Sequence, residues 1–500
     1  MLLRQIFDPY LAQYAYLVGC QRSGEALIID PERDIDQYYS LAEENGLIIT
    51  AVAETHIHAD FVSGGQNFAN NSMIHLYLSG EGGADWSYRW PGTRPNTHIL
   101  RNGDCFTVGH IKIEVLHTPG HTPEHISFLI TDVGSGATEP MALVSGDFLF
   151  VGDVGRPDLL ESAAGVKNVM ESSARTLQES LKVRLEPLAD FLQILPAHGA
   201  GSACGKTLGA VPMTTLGYER RFNHALKLAN TDCERFVTDI LQGQPNPPLY
   251  FATMKRVNRD GVKEVTGRLP LGRHLSSESF SALFSEMSGD GVRDRKGASE
   301  SDRDSAIQVL DVRMNREVYD AGHIARAIWA PLRSSFFSMA AGSFLTESNQ
   351  IVLIVDHESD VDLAARQLYR IGLDGLIGWM TANEAEVAGL LTVQTKRIKF
   401  ADFDPVRACS TGVIVDVRTT AEFEKSHLKG AYSMPYTRLK EHTQELPRGK
   451  TLFVHCASGK RASLATSFLV SEGFDAVHID GIFGQCGAGN SGAGNSGAGL

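Results

Sequence analysis

The stretch AETHIHADFVSGG, residues 53–65, decides how the first part of this chain is interpreted. An apolar run ends at its first residue, and His56, His58 and Asp60 follow at alternate positions among glycine and serine. Imidazoles at alternate positions near a strand end can turn toward one point, where a carboxylate completes a metal-ligand set. The pattern therefore predicts a metal site at the end of a β-strand. Phe61 follows directly and has no lone pair to donate to a metal.

Three other segments of the first 245 residues carry residues of the same kind. They are HTPGHT at 117–122, SGD at 145–147 and PAHG at 196–199. The runs LIITAVAE, IKIEVLHT and ALVSGD are rich in β-branched residues, and each leads directly into histidine or aspartate. Polar groups gathered at strand ends are how a rigid sheet presents a site, so we expect these four segments to meet at one edge. His117 and His125 flank this set, and we expect both to be structural.

The four segments resemble the metallo-β-lactamase fold, an αβ/βα sandwich with its metal at one edge. Members with H-x-H-x-D-H hold two metals, and dinuclear hydrolases such as glyoxalase II need the final histidine, which is Phe61 here. The chain is more similar to the persulfide dioxygenases, which work with one metal. That resemblance implies one Fe(II) per chain, with zinc as the alternative, held by His56, His121 and Asp147. Two imidazoles and a carboxylate form the facial triad of non-haem iron oxygenases.

The same resemblance suggests residues around the metal. His58, Asp60 and His198 orient ligands or substrate, or else belong to a hydrogen-bonded scaffold. GDVGRPDL resembles the family's G-R-x-D stretch, so Arg156 receives an anionic substrate or pairs with Asp158. In GSACGK, Cys204 handles the persulfide or is an unreactive residue in a glycine-rich loop.

An internal repeat begins near residue 270. The segment 306–331 recurs as 412–435, each copy with D-V-R after an apolar run, and each continues with a buried strand, a tight loop and a helix. Such alternation predicts two α/β domains with parallel sheets. In the second copy, HCASGKRAS places Cys456 between a strand and a helix, where the helix N-terminus favours a thiolate. Gly459 permits the tight turn, and Lys460 and Arg461 add positive charge.

The D-V-R and C-x-x-G-x-R segments resemble rhodanese domains, which pass sulfane sulfur through a cysteine persulfide. That resemblance makes Cys456 and Arg461 the catalytic residues. A cysteine phosphatase is the rival, but it places five residues between cysteine and arginine, whereas four separate this pair. The loop of the first copy, VDHESDVD at 355–362, has no cysteine and is acidic. It resembles the inactive module of tandem rhodaneses.

The bulk properties fit a soluble protein of about three domains. We expect a metallo-β-lactamase-like domain at 1–245, a linker at 246–268, a cysteine-less rhodanese domain at 269–395, an active one at 396–485 and a Gly-rich tail at 486–500. Seven cysteines in 500 residues indicate reduced thiols in the cytoplasm. A net charge of -13 argues against nucleic acid and anionic membranes. No apolar run predicts a membrane span, and Arg4 and Asp8 argue against a signal peptide.

The combination looks like bacterial fusions of persulfide dioxygenase and sulfurtransferase. It implies that a low-molecular-weight thiol persulfide and O₂ give sulfite, and that Cys456 passes sulfane sulfur to sulfite to give thiosulfate. The alternatives are a dinuclear-zinc thioester hydrolase of the glyoxalase II type with accessory rhodanese domains, and a non-catalytic persulfide sensor or sulfur-delivery protein. The sequence leaves the oligomeric state open, a homo-oligomer included.

Overall fold

The computed structural model describes residues 1–162, 169–206, 208–262, 265, 267–289 and 307–483. The chain divides into two compact units, Met1–Arg268 and Leu269–Leu500. The serine-rich segment 294–305 and the Gly-rich tail 486–500 lie outside the described residues. Among the helices that are described, none combines the length and the apolar character that a membrane crossing requires.

Two six-stranded sheets form the centre of the first unit. The strands are β1 Leu2–Asp8, β2 Gln13–Cys20, β3 Glu25–Ile29, β4 Ile48–Ala53, β5 His75–Ser79, β6 Thr97–Leu100, β7 Cys105–Val108, β8 Ile111–His117, β9 Ile126–Thr131, β10 Ala142–Gly146, β11 Gln193–Pro196 and β12 Thr214–Thr215. In the first sheet the strands lie in chain order, antiparallel from β1 to β3 and parallel from β3 to β6. In the second, β7 to β10 are antiparallel, β11 adds parallel to β10, and β12 closes the edge.

Every residue of β2, β9 and β10 is buried, so both faces of these strands are covered. Along β2, Tyr16 and Val18 point into the core between the sheets, and Leu17 points outward to the layer that contains Tyr38 of a helix. The two-residue period of a strand produces this alternation. The helices are Asp36–Glu44, Gly65–Phe68, Leu159–Ser162, Met170–Leu185, Leu216–Phe222, His224–Thr231, Cys233–Leu241 and Tyr250–Asp260. The unit is an αβ/βα sandwich, as predicted.

The second unit contains two five-stranded sheets whose described strand pairs are all parallel. The strands are β13 Arg273–His274, β14 Ile307–Asp311, β15 Ile328–Trp329, β16 Gln350–Val355, β17 Leu376–Thr381, β18 Lys396–Lys399, β19 Gly412–Asp416, β20 Tyr432–Ser433, β21 Thr451–His455 and β22 Ala476–Asp480. The first sheet has the order β13-β17-β16-β14-β15, and the second has the equivalent order β18-β22-β21-β19-β20. The internal repeat in the sequence is therefore a repeat of topology.

Helices connect these parallel strands, as crossover connections require. They are Ser277–Gly289, Arg316–Ala321, Phe337–Phe344, Asp360–Arg370, Ala382–Val387, Pro405–Thr411, Thr420–Lys425, Leu439–His442 and Lys460–Ser471. Each sheet has its own apolar core, one around Val309 and Ile354 and the other around Ile414 and Ile479. The predicted α/β architecture with parallel sheets is confirmed.

Candidate metal centre and sulfur-transfer loop

The four segments singled out in the sequence meet at one edge of the first unit. His56 follows β4, Asp147 follows β10, His198 follows β11, and His121 lies in the loop between β8 and β9. Ligand atoms of His56, His121 and Asp147 all lie within 4.8 Å of one another, and all three side chains are buried. Nε2 of His121 is 3.5 Å from Oδ2 of Asp147. These three residues, called the metal triad below, have the ligand types and the spacing that a metal site requires.

Hydrogen bonds fix which nitrogen of each imidazole carries its proton. Nδ1 of His121 donates to the carbonyl oxygen of Arg156 at 2.9 Å, so Nε2 keeps its lone pair on the side of Asp147. The hydroxyl of Thr55 donates to Oδ2 of Asp30 at 2.8 Å and accepts from Nδ1 of His56 at 2.9 Å, which leaves Nε2 of His56 with a lone pair. Outer partners of this kind orient histidine ligands and increase their basicity.

Asp147 is a buried carboxylate whose two oxygens have no hydrogen-bond partner. Burial raises the pKa of Asp147 to about 6. Its backbone N–H donates to Nε2 of His125 at 3.0 Å, which assigns His125 a structural contact. At the preceding Gly146, φ is 54° and a Cβ would lie 2.8 Å from Oγ1 of Thr55, so no side chain fits there. An unsatisfied buried carboxylate facing imidazole lone pairs fits a divalent cation, which would balance its charge.

His58 turns away from the triad. Its Nε2 lies 3.1 Å from Oδ1 of Asp30 and 3.4 Å from Oε2 of Glu54, both buried. Burial alone would lower the pKa of His58, but the Asp30 and Glu54 carboxylates outweigh burial and raise it well above its usual value. His58 is thus paired with two buried carboxylates. His58 therefore belongs to a cluster with Asp30 and Glu54 and is not one of the triad ligands. The segment 54–64, which contains His58 and connects β4 to the helix Gly65–Phe68, is called the metal loop below.

Phe61 packs on the ring of His58, with ring centroids 4.4 Å apart, and is fully buried. Its carbonyl oxygen accepts a hydrogen bond of 2.7 Å from Nδ2 of Asn258, which also donates to the carbonyl oxygen of His58 at 2.9 Å. Oδ1 of Asn258 accepts from the N–H of Ser63 at 2.8 Å. One side chain therefore holds the metal loop at three points.

Asn258 belongs to the helix Tyr250–Asp260, inside the segment 246–268 that we expected to be a linker. That expectation is wrong for these residues, because the helix packs into the first unit, which extends to Arg268. Buried Phe251, Met254 and Val257 form an apolar stripe at helical spacing. The proline-rich residues before it concealed this pattern.

A second buried cluster adjoins the first. Ligand atoms of Asp60, His198 and Cys204 lie within 4.8 Å of one another. Nδ1 of His198 donates to the carbonyl oxygen of Ala12 at 3.2 Å, so its Nε2 lone pair faces Oδ2 of Asp60 at 3.5 Å. Nε2 of His198 is also 3.4 Å from Oδ1 of Asp147. Cys204 thus lies beside Asp60 and His198, two of the residues expected around the metal.

Burial dominates the protonation of this second cluster. It raises the pKa of Asp60 to about 6, and it raises the pKa of the Cys204 thiol well above its usual value, with the nearby Asp60 and Asp147 adding to the effect. The thiolate is the nucleophile and the metal ligand. A neutral Cys204 is therefore unreactive unless a cation displaces its proton.

Arg156 does not reach out to a substrate. The guanidinium donates to both oxygens of Asp158 at 2.8 and 2.6 Å, and to the carbonyl oxygens of Ala203 and Pro245 at 2.8 and 2.9 Å. Its side chain is buried. Of the two roles expected for Arg156, the structure shows the pair with Asp158. Asp158 is only two positions further along the chain, so its carboxylate lies within reach of the Arg156 guanidinium.

In the second unit, Cys456 lies at the carboxyl end of β21 and is buried. Gly459 adopts a left-handed conformation with φ of 86°, as the turn into the helix Lys460–Ser471 requires. Lys460 is exposed. Arg461 forms a bidentate pair with Glu422 at 2.6 and 2.8 Å and lies close enough for its charge to interact with the Cys456 sulfur. The Arg461 charge is thus held beside the cysteine by a fixed carboxylate.

The cysteine-less copy contributes to this loop. Arg316 makes two hydrogen bonds to the carboxylate of Asp480, at 3.0 and 2.7 Å. A Cβ on Gly459 would lie only 2.5 Å from Oδ1 of the same Asp480, so that carboxylate packs directly against the turn. Nε2 of His478 donates to the carbonyl oxygen of Gly459 at 3.0 Å. A cavity of about 500 Å³ borders Arg316 and Lys460.

Sequence reasoning missed several of the residues that shape both sites. Asp30 ends the run ALIID directly after β3 and could have been found by the same strand-end criterion as the other acids. Asn258 is about 200 residues from the metal loop in sequence, and an amide in a helix gives no signal of its own. His117 makes a scaffold contact, donating from Nε2 to the carbonyl oxygen of Pro123 at 2.9 Å.

Comparison with known proteins identifies the class to which this fold and site belong. A family model described as the metallo-beta-lactamase superfamily matches residues 9–198, and one described as a rhodanese-like domain matches residues 404–483. A metallo-beta-lactamase from Staphylococcus aureus subsp. aureus COL, known from a crystal structure, is 38% identical to this chain in sequence, with a TM-score of 0.63. The match covers 76% of this chain and 99% of that one. The chain belongs to the metallo-beta-lactamase superfamily and carries a rhodanese-like domain in its second unit.

Two relatives of this chain have names that state different reactions. The mitochondrial persulfide dioxygenase ETHE1 of Bos taurus is 29% identical over 238 residues, which are 47% of this chain and 79% of the relative. The hydroxyacylglutathione hydrolase GloC of Haemophilus influenzae is 26% identical over 210 residues, which are 40% of this chain and 85% of the relative. Together with the buried His and Asp clusters, these relatives support a metal cofactor in the first unit.

Proposed function

We propose that the first unit is a persulfide dioxygenase with one Fe(II) per chain, held by His56, His121 and Asp147. The observation that carries the proposal is the buried metal triad, in which both imidazoles keep an Nε2 lone pair and the nearby carboxylate oxygens have no hydrogen-bond partner. Two histidines and one carboxylate are the ligand set typical of mononuclear iron oxygenases. When bound there, Fe(II) supplies the activation of O₂ and of the persulfide sulfur.

The chain's own residues prepare this site. Asp30 and the Arg156 carbonyl hold the two imidazoles in one tautomer, and His58 stays with Asp30 and Glu54 rather than joining the triad. Phe61 fills the position beside His58 with a ring that binds no metal. All three side chains of the metal triad are buried. The reaction consumes a thiol persulfide, O₂ and water, and gives the free thiol, sulfite and two protons.

We further propose that Cys456 transfers sulfane sulfur. Its thiolate attacks the outer sulfur of a second thiol persulfide, the S–S bond of that persulfide breaks, and the carrier thiol leaves. Sulfite then takes the outer sulfur from the Cys456 persulfide to give thiosulfate, and the thiolate returns. The rhodanese-like family match over 404–483 and the Arg461 charge beside Cys456 support this role. The matching strand orders and the absence of cysteine from its loop support an inactive rhodanese copy at 269–395.

A dinuclear thioester hydrolase is the second candidate, and the Asp60, His198 and Cys204 cluster favours it. Cys204 differs from the histidine that this family uses, and its pKa is raised by burial. Metal content separates the two proposals, since the dioxygenase needs one iron and the hydrolase needs two metals.

The test is metal analysis of the purified full chain, followed by O₂ uptake and product analysis with glutathione persulfide. We expect one iron per chain, O₂-dependent sulfite, and thiosulfate as the final product. The Cys456→Ser variant should accumulate sulfite, whereas Cys409→Ser, which changes an exposed cysteine, should still give thiosulfate. Two zinc ions with thioester hydrolysis and no O₂ uptake would refute the dioxygenase. Unchanged thiosulfate from Cys456→Ser would refute the transfer step.

A further inference from the structure

Lys255 is a buried cation that neither metal cluster uses. It lies in the helix Tyr250–Asp260, and its side chain is 6% exposed. Asn258 is three residues further along the same helix, so both side chains lie on one face. That face is on the metal loop, because Asn258 binds the carbonyl oxygens of His58 and Phe61. The placement brings the Lys255 side chain to the same region as the metal triad.

The ammonium of Lys255 has no hydrogen-bond partner. Its Nζ is buried and unpartnered, and it lies 5.1 Å from the ring centroid of Trp86. A lysine is almost never fully buried unless it is paired, because removing an ammonium from water is costly. The cation–π contact with Trp86 recovers only part of that cost. A buried unpaired ammonium at the edge of a site is therefore a feature that calls for a partner.

The charges around Lys255 tie it to the metal site. Burial lowers the pKa of Lys255 to about 8, and the negative charges of Glu124, Asp158 and Asp147 limit the decrease. Its ammonium in turn helps burial to lower the pKa of His121. The charge of Lys255 therefore interacts with His121 and Asp147 of the triad. The other basic residue of the region, Arg156, is already committed to Asp158 and two carbonyl oxygens.

We propose that Lys255 is the anion-binding residue of the metal site and receives a negatively charged group of the substrate. The inference rests on the proposed function, and it adds that the substrate is an anionic thiol persulfide held by a side chain from the segment 246–268. Two groups of such a substrate carry the required charge, namely the persulfide sulfur and a carboxylate of the thiol carrier. Either one would supply the partner that the Lys255 ammonium lacks.

The proposal predicts a loss of affinity that depends on the charge of the ligand. A hydrogen bond to a charged group contributes about 1.5–3 kcal/mol, which corresponds to a roughly 10- to 100-fold change in Kd. Lys255→Met keeps most of the side-chain length and removes the charge. Lys255→Arg keeps the charge and should restore most of the affinity. Lys206→Met, which removes an exposed lysine of the same unit, is the matched control.

The experiment is calorimetric titration of the metal-loaded full chain without O₂, using three probes. Glutathione persulfide carries both kinds of anion, 2-hydroxyethyl persulfide carries only the persulfide anion, and bis(2-hydroxyethyl) disulfide carries none. We expect Lys255→Met to weaken binding of glutathione persulfide about 10- to 100-fold and to leave the neutral disulfide unchanged. If the binding of 2-hydroxyethyl persulfide weakens by the same factor, the persulfide sulfur is the partner of Lys255. If that binding is unchanged, the partner is the carboxylate of the thiol carrier.

Two results would overturn the proposal. Equal weakening of all three probes would mean that Lys255 only maintains the shape of the site, and unchanged binding of glutathione persulfide would mean that Lys255 does not meet the substrate. If Lys255→Met does not fold, Lys255→Arg provides the test, because it keeps the positive charge. Affinity of Lys255→Arg for the anionic probes well below that of wild type would contradict the assignment. These titrations do not require turnover. Failure of the proposed oxidation would instead appear as wild-type protein that binds the persulfide without consuming O₂.

Discussion

Replacing Asn258 by alanine should destabilise the first unit more than any ordinary surface change. The variant loses three hydrogen bonds, from Nδ2 to the carbonyl oxygens of His58 and Phe61 and from the N–H of Ser63 to Oδ1. Asn258 is 5% exposed, so water does not readily replace these bonds. At about 1 kcal/mol for each bond, the expected loss is about 3 kcal/mol. For a unit of this size, that corresponds to a decrease in Tm of roughly 6–12 °C.

The assay is thermal unfolding of the full chain, with and without a chelator. The transition that a chelator shifts belongs to the metal-binding unit, because a ligand bound to the folded state raises its stability. Asn230→Ala is the matched control, since Asn230 is exposed and its side chain makes one hydrogen bond, to the carbonyl oxygen of Leu226. A Tm for Asn258→Ala as close to wild type as that of Asn230→Ala would refute the reasoning that this side chain holds the metal loop.

Three further predictions concern the triad, the cysteine-less copy and pH. His121→Ala should abolish stable metal binding, whereas His117→Ala, which removes an imidazole bonded to the Pro123 carbonyl oxygen, should retain it; equal metal content in both variants would count against the triad. Arg316→Ala should slow sulfur transfer from Cys456, because Asp480 loses its bidentate partner beside Gly459, and Arg316→Lys should restore part of the rate. The control is Lys396→Ala, which breaks an exposed ion pair. An equal rate for Arg316→Ala and wild type would contradict the role of Asp480. Burial alone would raise the pKa of Glu422, but Arg461 and the Thr419 hydrogen bonds lower it to about 2. This carboxylate therefore stabilises the second unit above about pH 4.5, and its contribution is lost as the pH falls toward 2. Acid titration of unfolding should show this loss in wild type and not in Glu422→Gln.

The strand-end pattern is the reason that much of the site could be predicted. His56, His121 and Asp147 each follow an apolar run or lie in a short loop between two such runs, so the local sequence already implies a shared edge. The repeated D-V-R segments likewise predicted two sheets of one topology, because the same alternation of elements gives the same crossover connections. Local pattern was sufficient wherever a residue's role depends on its own strand or loop.

The remaining features depend on contacts between distant parts of the chain. Asn258 reaches the metal loop from a helix about 200 residues away, and Arg316 reaches Asp480 from the other sequence copy. Neither contact follows from spacing or periodicity. The distinction between the two roles of Arg156 also required the fold, since the carbonyl oxygens of Ala203 and Pro245 complete its set of partners.

The most direct test of the central claim is the ratio of O₂ consumed to sulfite formed by the iron-loaded Cys456→Ser variant with glutathione persulfide. Because this variant cannot convert sulfite to thiosulfate, the account predicts one O₂ consumed for each sulfite released, and no sulfite under nitrogen. Adding His121→Ala should abolish both O₂ consumption and sulfite formation. Sulfite formation that continues without O₂, or thioester hydrolysis without O₂ uptake, would contradict a dioxygenase at the metal triad.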